Sequence, residues 1–430
     1  MKKVGVAILG VGVVGGGTYE TLVSHHDFYM KTQQVDITVE AVLDRNIERL
    51  QAMGIAEELI AKNIEEIIAN PNVDIVIETI GGVDVAKEFV TKALRAAKTV
   101  VTSNKELICK YSHELEKIAK RNHCGLYYEA SCVGGVPIIR TLLDGVQGNN
   151  IHSMMGIVNG TTNYILTKMT QDGTDYAEAL QEAQKLGYAE ADPTADVEGI
   201  DSMYKLSILS SMAFHTKIPY TKIMREGISH IDANDIAFGH EIGYTMKLLA
   251  IGKHEGDGVD VRVHPTFIPH NHPLASVNDS FNAVYLQGDA VGDVMLYGRG
   301  AGAFPTASAV VSDVIYAATH SELRYSTFKN NAQPESHVKF LSDFTSSYYL
   351  RLFIDDRLGA LAKITGILGK CGVSIVEISQ KPKGMFGANS DRVPLIITTY
   401  KTKENSVKNA VAKLNASGLA SVEAVIRIES

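Results

Sequence analysis

The chain has 430 residues, of which 45% are hydrophobic and 21% are charged, and its formal net charge is −8. The length exceeds the ~100–200 residues of one typical domain, so the composition predicts a globular protein of two to four domains. The net charge argues against a general nucleic-acid binder, which needs a basic face, and the absence of an uninterrupted run of ~18 apolar residues argues against a membrane span.

The first 130 residues alternate strand-like and helix-like segments. Strands are predicted at 4–10, 35–43, 73–79, 98–103 and 125–131, and helices at 16–31, 57–69, 84–97 and 106–122. This alternation is typical of a parallel sheet covered on both faces. We therefore expect an α/β fold with a Rossmann-type doubly wound domain over 1–130, completed by about 300–320.

A glycine motif follows the first predicted strand and opens the first predicted helix. Such glycines permit a tight turn and let backbone N–H groups approach a pyrophosphate at a helix N-terminus. The alternative is a glycine-rich turn without a ligand. The strand–turn–helix setting favours a dinucleotide loop, with these cofactor-binding residues: Gly10, Gly12, Val13, Val14 and Gly15.

The end of the second strand carries Asp44 next to Arg45. An acidic side chain here accepts hydrogen bonds from the ribose hydroxyls of NAD, whereas arginine holds the 2′-phosphate of NADP. The sequence therefore predicts NAD(P), with Asp44 favouring NAD and Arg45 compatible with NADP.

Polar residues follow the fourth strand, where open α/β sheets bind ligands beyond the carboxyl ends of their strands. Ser103 and Lys105 are therefore candidates for contact with the cofactor, and Lys105 also with a substrate oxygen. The alternative is a helix N-cap at Ser103 or Asn104 followed by a solvated lysine.

The sequence EASCVGGVP at 129–137 ends a strand and enters a glycine turn. The carboxylate of Glu129, with neighbouring backbone carbonyls, could bind a hard monovalent cation through oxygen. A turn that only crosses between domains is the alternative. The four scattered cysteines include no C-x-x-C pair, which predicts a reduced, cytoplasmic protein without a zinc cage.

From about residue 150 the pattern changes. Helices are predicted at 174–187 and 199–215, short strand-like runs within 259–298, and a glycine loop leading into a helix at 298–319. The strand-like runs suggest an open sheet, within a second domain at 131–320. The polar segment 321–346 is predicted to be a linker.

Five carboxylates and one lysine crowd the acidic stretch GYAEADPTADVEGIDSMYK at 187–205. Asp201 and Lys205 are four residues apart, so on a helix they share one face. They could form a surface ion pair worth only about 0.3–0.5 kcal/mol. However, carboxylates this dense repel one another unless they are solvated or a cation binds among them. A ligand with an ammonium group is one such cation, and a lysine nearby could pass a proton to a developing alkoxide.

The last domain is predicted at 347–430. Strands at 348–354, 373–382, 393–401 and 421–429 alternate with helices at 358–372 and 405–417. The order βαββαβ is the ferredoxin-like pattern. Its size and position suggest a regulatory appendage.

Five motifs together resemble the homoserine dehydrogenase family over about residues 4–320. They are GVGVVG at 10–15, TSNKEL at 102–107, EASCVGGVPII at 129–139, GIVNGTTNYIL at 156–166 and LGYAEADPTADVEGIDSMYK at 186–205. The C-terminal unit, with DDRLGALAKIT at 355–365, resembles an ACT domain, a small amino-acid-sensing module. This is the architecture of the monofunctional bacterial members.

The resemblance implies reversible, NAD(P)-dependent interconversion of L-homoserine and L-aspartate 4-semialdehyde, a step towards threonine and methionine. It implies that Lys205 is the general acid/base and Lys105 a second catalytic lysine. The other implied positions are Glu190, Asp201, Gly160 and Thr161 for substrate; Gly187 and Gly302 for cofactor; Glu129, Cys132, Gly134 and Val136 for a Na⁺-type cation; Asp356 and Gly359 for regulation.

The resemblance also implies a homodimer or homotetramer, with threonine as the effector and no membrane or nucleic-acid partner. One alternative is another Rossmann dehydrogenase acting on an amino-acid aldehyde. A phosphorylating semialdehyde dehydrogenase is disfavoured because a Cys-centred nucleophile motif is lacking. The other alternative is a non-catalytic, amino-acid-sensing protein that keeps a nucleotide-binding fold.

Overall fold

A computed structural model describes residues 1–320, 323, 338–382 and 392–430. The strands are β1 Lys2–Leu9, β2 Val35–Leu43, β3 Ile75–Glu78, β4 Thr99–Thr102, β5 Leu126–Tyr127, β6 Ile151–Ile157, β7 Met224–Arg225, β8 Tyr244–Glu255, β9 Gly258–Pro269, β10 Phe281–Gly288, β11 Gly292–Arg299, β12 Lys339–Phe340, β13 Thr345–Asp355, β14 Ile375–Gln380, β15 Arg392–Thr399, β16 Thr402–Lys403 and β17 Ala420–Ile428.

The helices are α1 Val13–Ser24, α2 His26–Gln33, α3 Ile47–Ala52, α4 Ile64–Ala69, α5 Asp84–Arg95, α6 Lys105–Arg121, α7 Ile138–Arg140, α8 Gly160–Gln171, α9 Tyr176–Lys185, α10 Thr194–Val197, α11 Ile200–Ala213, α12 Ala233–Glu241, α13 Ala303–Thr319, α14 Ala360–Lys370 and α15 Glu404–Ala416. The chain divides into two compact units. Unit 1 comprises residues 1–160, 201–223 and 281–338, and unit 2 comprises residues 161–200, 224–280 and 339–430.

Unit 1 contains a five-stranded sheet in the order β2-β1-β3-β4-β5, with parallel pairing throughout. The central strands β1 and β3 are buried and mostly apolar, as a sheet covered on both faces requires; in β1, Val6, Ile8 and Leu9 are fully buried. The strand order reverses at β1, so the loops after β1 and β3 flank the crevice where such folds bind ligands. The predicted Rossmann-type parallel sheet is confirmed.

Helix α13 returns to this part of unit 1 and packs on α1. A Cβ added at Gly17 of α1 would lie 2.9 Å from the backbone of Ala303, so the two helices approach at a glycine. The buried face of α13 includes Val310 and Val314. Unit 1 also holds three antiparallel strands in the order β11-β10-β6.

Several predicted elements differ in the structure. The single helix predicted at 16–31 is two helices, α1 and α2, separated at His25. The predicted helix at 57–69 is interrupted: a 3₁₀ turn at Glu57–Leu59 precedes α4, which begins only at Ile64. Helix α3 was missed, although Asn46 caps it by accepting a hydrogen bond from the Arg49 amide.

In unit 2, β8 and β9 form a long antiparallel pair, and β17 joins the other edge of β9 in parallel register. Four strands of the C-terminal region follow in the order β17-β13-β15-β14, and the two-residue β16 pairs with the start of β13. Apart from β16, the described residues of 345–430 have the element order βαββαβ. Of the predicted linker, residues 321, 322 and 324–337 lie outside the described residues, while β12 and the start of β13 occupy part of its end.

A buried charge network binds β17 to β9 within unit 2. Arg262 of β9 is fully buried; its Nε donates to Asp260 and its Nη2 donates to Glu429 Oε1 at 2.7 Å. Arg427 of β17 pairs with Glu404 at 2.6 Å and with Glu226 at 2.7 Å. Because these charges are buried and paired, removing one member would take an ion pair from each of its partners.

His264 belongs to the same network and is held neutral. Burial and the nearby charges of Arg427 and Arg262 hold its pKa well below the usual range. Its Nε2 lies 3.1 Å from the Arg262 guanidinium and accepts from it, so the ring proton is on Nδ1, which faces the Pro265 carbonyl oxygen at 3.0 Å.

We expect unit 2 to lose stability as the pH falls below about 6.5, the ordinary pKa of histidine. Below that pH the unfolded chain binds a proton at position 264 that the folded chain does not, so the free energy of unfolding falls by up to about 1.4 kcal/mol per pH unit. His264→Gln keeps an acceptor for Arg262 but cannot titrate. Urea unfolding between pH 5 and 7.5 should show a shallower pH slope for this variant, and equal slopes would contradict the assignment.

The state of the cysteines and the length of the helices bear on two further predictions, a reduced protein and the lack of a membrane span. The four cysteines all lie among the described residues and are free thiols. Within the described part of the chain, no helix has the length and apolar character needed to cross a bilayer.

Candidate active site

The glycine turn after β1 has the shape of a phosphate cradle. Gly10 has φ +85°, and a Cβ there would lie 2.9 Å from Ile80. At Gly15 a Cβ would lie 1.9 Å from the Gly10 carbonyl oxygen, whereas Gly12 has nothing within 4 Å. Gly12 is the N-cap of the 12-residue helix α1. The open space at this helix N-terminus fits an anionic group such as a pyrophosphate.

Asp44 lies at the end of β2 and holds this turn in place. Its Oδ2 accepts a hydrogen bond from the Val11 amide at 2.5 Å, and its Oδ1 accepts from the Asn46 amide at 2.8 Å. A surface depression begins at Asp44 and is lined by residues 44–48, including the exposed Arg45. One acidic and one basic side chain thus stand where the predicted ribose site lies.

Two lysines converge on one buried carboxylate in unit 1. Asp201 lies in the first turn of α11 and is 4% exposed. Its Oδ2 lies 2.7 Å from Lys205 Nζ, and its Oδ1 lies 2.8 Å from Lys105 Nζ. Lys205, one helical turn further along α11, is 9% exposed. The pair is therefore not the solvated surface ion pair that the spacing alone allowed.

The position of Lys105 follows from its place in α6. It is the first residue of that helix, and the Asn104 side chain caps the helix by accepting from the Leu107 amide. The N-cap is therefore Asn104 and not Ser103. The Lys105 side chain is 42% exposed, so this lysine reaches Asp201 from the solvent side.

Two further groups complete the surroundings of Asp201. Lys205 Nζ donates to the Val158 carbonyl oxygen at 2.7 Å, and Asn159 Nδ2 donates to Asp201 Oδ2 at 2.9 Å. Burial raises the pKa of Asp201, but the charges of Lys205 and Lys105 and the Asn159 hydrogen bond outweigh it. The net pKa lies well below the usual range, so Asp201 is ionised.

The arrangement can transfer a proton. An ammonium group has three N–H donors, and among the described residues Lys205 Nζ hydrogen-bonds to Val158 and Asp201. The third N–H can therefore donate a hydrogen bond, and its proton, to a bound ligand. The buried, ionised partner holds the ammonium group in one position, as a general acid requires.

The rest of the acidic stretch lies in unit 2 and is satisfied locally. Thr161 Oγ1 donates to the Tyr188 carbonyl oxygen at 2.6 Å and also contacts Asp196 Oδ2 at 3.0 Å. Ser229 donates to Glu198 at 2.7 Å. Glu190 is exposed. Within unit 2, Asp196 and Glu198 therefore each have a hydroxyl group as a contact.

Three further positions predicted for the substrate or the cofactor are glycines. Gly187, directly before Tyr188, has φ +76°, and Gly302 has φ +118° and is the N-cap of α13. Gly160 begins α8. The left-handed backbone at Gly187 and Gly302 favours glycine at both positions.

The predicted cation loop begins at Glu129, whose carboxylate is already engaged. Its Oε1 accepts from the Ile139 amide at 2.8 Å and its Oε2 accepts from the Arg140 amide at 2.6 Å. Burial and the neighbouring Asp313 raise the pKa of Glu129 to about 7. The side chain thus organises the loop, and a cation would depend chiefly on backbone oxygens.

The remaining positions of this loop are Cys132, Gly134 and Val136. Gly134 has φ +53°, and a Cβ there would lie 2.4 Å from the Gly300 carbonyl oxygen. Among the described residues, no three His, Cys, Asp or Glu side chains are grouped to hold a metal ion. The monovalent cation remains a prediction.

Comparison with known proteins places this geometry in a family. The family profile described as "Homoserine dehydrogenase, NAD binding domain" matches residues 10–129, and the profile described as "Homoserine dehydrogenase" matches residues 137–315. A homoserine dehydrogenase of Bacillus subtilis is 41% identical over 418 residues, which cover 96% of this chain and 95% of that protein. The chain belongs to the homoserine dehydrogenase family.

Solved structures of homoserine dehydrogenases are similar to the structure of this chain. The crystal structure of one from Thiobacillus denitrificans superposes with a TM-score of 0.93 at 37% identity and covers 100% of this chain and 99% of that one. A hyperthermophilic archaeal homoserine dehydrogenase in complex with NADPH superposes with a TM-score of 0.64 at 30% identity, over 75% of this chain and 100% of that one. As a family member, the chain is an NAD(P)-dependent oxidoreductase.

Sequence reasoning did not single out Asn159, although its motif GIVNG was among those that resemble homoserine dehydrogenases. Asn159 is 5% exposed and lies 42 positions before Asp201. Its one local signal was a polar amide directly after a strand-like run. That signal does not reveal which carboxylate the amide would meet.

Proposed function

We propose that the chain interconverts L-homoserine and L-aspartate 4-semialdehyde with NAD(P), as a step of threonine and methionine biosynthesis. The observation that carries the proposal is the buried Asp201 with Lys205 and Lys105 on its two oxygens, in a chain of this family. An alcohol and an aldehyde differ by a hydride and a proton. NAD(P), when bound, supplies or accepts the hydride.

The residues of the chain manage the proton. In the reducing direction, negative charge develops on the aldehyde oxygen, and Lys205 Nζ donates a proton to that oxygen. Lys105 stabilises the same charge electrostatically. In the oxidising direction, Lys205 removes the proton from the hydroxyl group. Val158 and Asp201 hold the Nζ atom in position throughout.

The cofactor site consists of the glycine turn and the end of β2. The amides of Val13 and Val14 at the start of α1, next to the open Gly12, would bind the pyrophosphate. Asp44 would accept hydrogen bonds from the ribose, and its charge opposes a 2′-phosphate. NAD is therefore the preferred cofactor in our proposal, and the exposed Arg45 keeps NADP usable. Ser103, Gly187 and Gly302 are further proposed contacts.

Substrate recognition is proposed for residues that match the family motifs. Glu190 and Asp201 would bind the ammonium group of homoserine, and Gly160 and Thr161 would line the pocket. Glu190 is exposed and can accept an ammonium ligand. Asp201 already binds two lysines and Asn159, which makes a role in positioning the lysines the better supported one.

We expect Glu190→Gln to raise the KM for homoserine by about tenfold or more while kcat changes little, because an ion pair to the substrate ammonium group is lost and 1.4 kcal/mol corresponds to tenfold. Steady-state kinetics at saturating cofactor measure this. Glu178→Gln, an exposed carboxylate on α9, is the matched control. An unchanged KM would remove Glu190 from ammonium binding.

A Na⁺-type cation is proposed at the loop of Glu129, Cys132, Gly134 and Val136. Regulation is proposed for the βαββαβ region as an ACT domain that binds threonine near Asp356 and Gly359, in a homodimer or homotetramer. Gly359 has φ +79° as the N-cap of α14, and the preceding Leu358 is fully exposed. One edge of this sheet, β17, is already paired with β9, so pairing between ACT domains would use the β14 edge.

We expect Asp356→Asn to weaken threonine inhibition at least about tenfold, with kcat unchanged in the absence of threonine, because a single lost charged contact costs about 1.5–3 kcal/mol. Lys370→Ala at the far end of α14 is the control. Deleting 346–430 is a poor test, because it takes Glu429 away from the fully buried Arg262 and Arg427 away from the partly exposed Glu226. Equal inhibition of Asp356→Asn and the parent enzyme would place the effector elsewhere.

The proposed reaction is tested by steady-state kinetics with NAD and NADP side by side. The assay follows nicotinamide absorbance with homoserine in the absence of phosphate, with and without threonine. Turnover without phosphate supports the reaction, and higher kcat/KM with NAD supports the role of Asp44. Threonine binding without any turnover would instead indicate an amino-acid-sensing protein.

A further inference from the structure

Glu78, the last residue of β3, is a fully buried carboxylate that the proposed reaction does not use. Its Oε1 accepts a hydrogen bond from the Ile80 amide at 2.8 Å, and its Oε2 accepts one from the Thr102 hydroxyl at 2.5 Å. Burial raises the pKa of Glu78, and these hydrogen bonds oppose the shift. A buried carboxylate costs free energy that an apolar residue would not, so its position calls for an explanation.

The first oxygen of Glu78 fixes the loop after β3. Thr79 of this loop donates from Oγ1 to the Gly10 carbonyl oxygen at 2.7 Å and contacts the Leu9 carbonyl oxygen at 3.1 Å. Ile80 packs so closely on Gly10 that no Cβ fits there. The loop is therefore a wall of the glycine turn, on the side where the strand order reverses.

The second oxygen of Glu78 fixes the start of α6. The Thr102 hydroxyl donates its proton to Glu78 and therefore presents a lone pair to the Asn104 amide, which lies at 3.0 Å. Asn104 Nδ2 donates to the Gly82 carbonyl oxygen at 2.5 Å, so the two loops are joined twice. Lys105 follows directly and reaches Asp201 at 2.8 Å.

We propose that Glu78 is a positioning residue that locks the loop beside the glycine turn to the first turn of α6, and so sets the location of Lys105 Nζ. Its carboxylate accepts hydrogen bonds from both the Ile80 amide and the Thr102 hydroxyl. This inference rests on the proposed role of Lys105 in the reaction. It assigns Glu78 no contact with substrate.

The chemistry of the two hydrogen bonds makes Glu78→Gln a sharp test. Both neighbours donate to Glu78, and an amide offers one acceptor oxygen and one NH₂ group. The NH₂ group must therefore face either the Ile80 amide, which is another donor, or the Thr102 hydroxyl, whose own proton then has no acceptor at position 78. The side-chain volume is almost unchanged, so Glu78→Gln removes one of the two hydrogen bonds donated to position 78 without creating a cavity.

The experiment is a double-mutant cycle of Glu78→Gln and Lys105→Ala, read as kcat for homoserine oxidation at saturating cofactor. We expect Glu78→Gln to lower kcat about 10–100-fold, the scale of a misplaced catalytic group. In the Lys105→Ala background the same change should alter kcat by less than about twofold, because effects on one shared element are not additive. A merely structural role would lower kcat equally in both backgrounds, and that outcome overturns the proposal.

The pair Thr102→Val and Thr102→Ser gives a second test that does not depend on Glu78→Gln folding. Valine removes the hydroxyl and should lower kcat as Glu78→Gln does, whereas serine keeps it and should retain parent kcat. Equal kcat for the two variants overturns the proposal. An inactive parent enzyme would refute the proposed reaction, and an undiminished kcat of Lys105→Ala would refute the role of Lys105. The positioning role of Glu78 falls with either result. Both results differ from the outcome that overturns Glu78 alone, which is an equal loss of kcat from Glu78→Gln in the parent and Lys105→Ala backgrounds.

Discussion

Lys205→Ala is expected to lower kcat by about 10²–10⁴, the scale of a lost general acid. Lys205 Nζ is the buried donor held between Val158 and Asp201, and no water molecule can take the same fixed position with the same charge. Cofactor affinity should change little, because the glycine turn is built from other residues. Single-turnover kinetics at saturating substrate, with cofactor binding measured by nucleotide fluorescence, check both parts.

Lys205→Arg separates charge pairing from proton transfer. Arginine keeps the positive charge beside Asp201 but is not deprotonated in proteins, so kcat should stay near that of the alanine variant. Lys185→Ala, at an exposed lysine on α9, serves as the control and should behave as the parent enzyme. Parent-like kcat in Lys205→Ala would remove this residue from proton transfer.

Asp201→Asn is expected to lower kcat about 100-fold or more. The change removes the charge that holds Lys205 and Lys105 at 2.7 and 2.8 Å, and breaking a buried ion pair by removing one partner costs about 3–5 kcal/mol. Both lysines then lose their fixed positions. The parameters to measure are kcat and the KM for homoserine, together with the Tm of the folded variant.

The division between kcat and KM decides between two roles of Asp201. A residue that positions the lysines should affect kcat, whereas a residue that binds the substrate ammonium group should affect KM. Asp192→Asn, at an exposed carboxylate of the same stretch, is the control. A large rise in KM with parent kcat would favour ammonium binding and contradict lysine positioning.

The parallel sheet could be predicted because its strands are buried on both faces. Continuous apolar runs such as VGVAILG and VDIVIET have that one structural explanation once helices alternate with them. Strand β6 was missed, and so was β8, whose sequence YTMKLLAIGKHE contains no turn residue at its start and mixes lysines with apolar residues. Side-chain pattern alone does not reveal that Lys247 in β8 is buried, with the Val277 carbonyl oxygen as a partner.

The candidate site was predictable where its contacts are local. Asp201 and Lys205 are one helical turn apart, so their contact follows from helix geometry. Lys105 and Asn159 meet Asp201 across 96 and 42 positions of sequence, which no local rule specifies. Three carboxylates of the acidic stretch have partners within unit 2 that the sequence does not specify: the Thr194 and Ser229 hydroxyls donate to Asp192 and Glu198, and the Thr161 hydroxyl contacts Asp196.

The pairing of β17 with β9 means that the C-terminal region is not an interchangeable module. A chimera that grafts residues 345–430 of a relative onto this chain would have to bring an arginine to meet Glu226 and a carboxylate to meet Arg262. A graft lacking the carboxylate would take one of two ion pairs from the fully buried Arg262, and a graft lacking the arginine would take from Glu226 its ion pair with position 427. The C-terminal region and the strand it adjoins are therefore constrained to evolve as a matched pair.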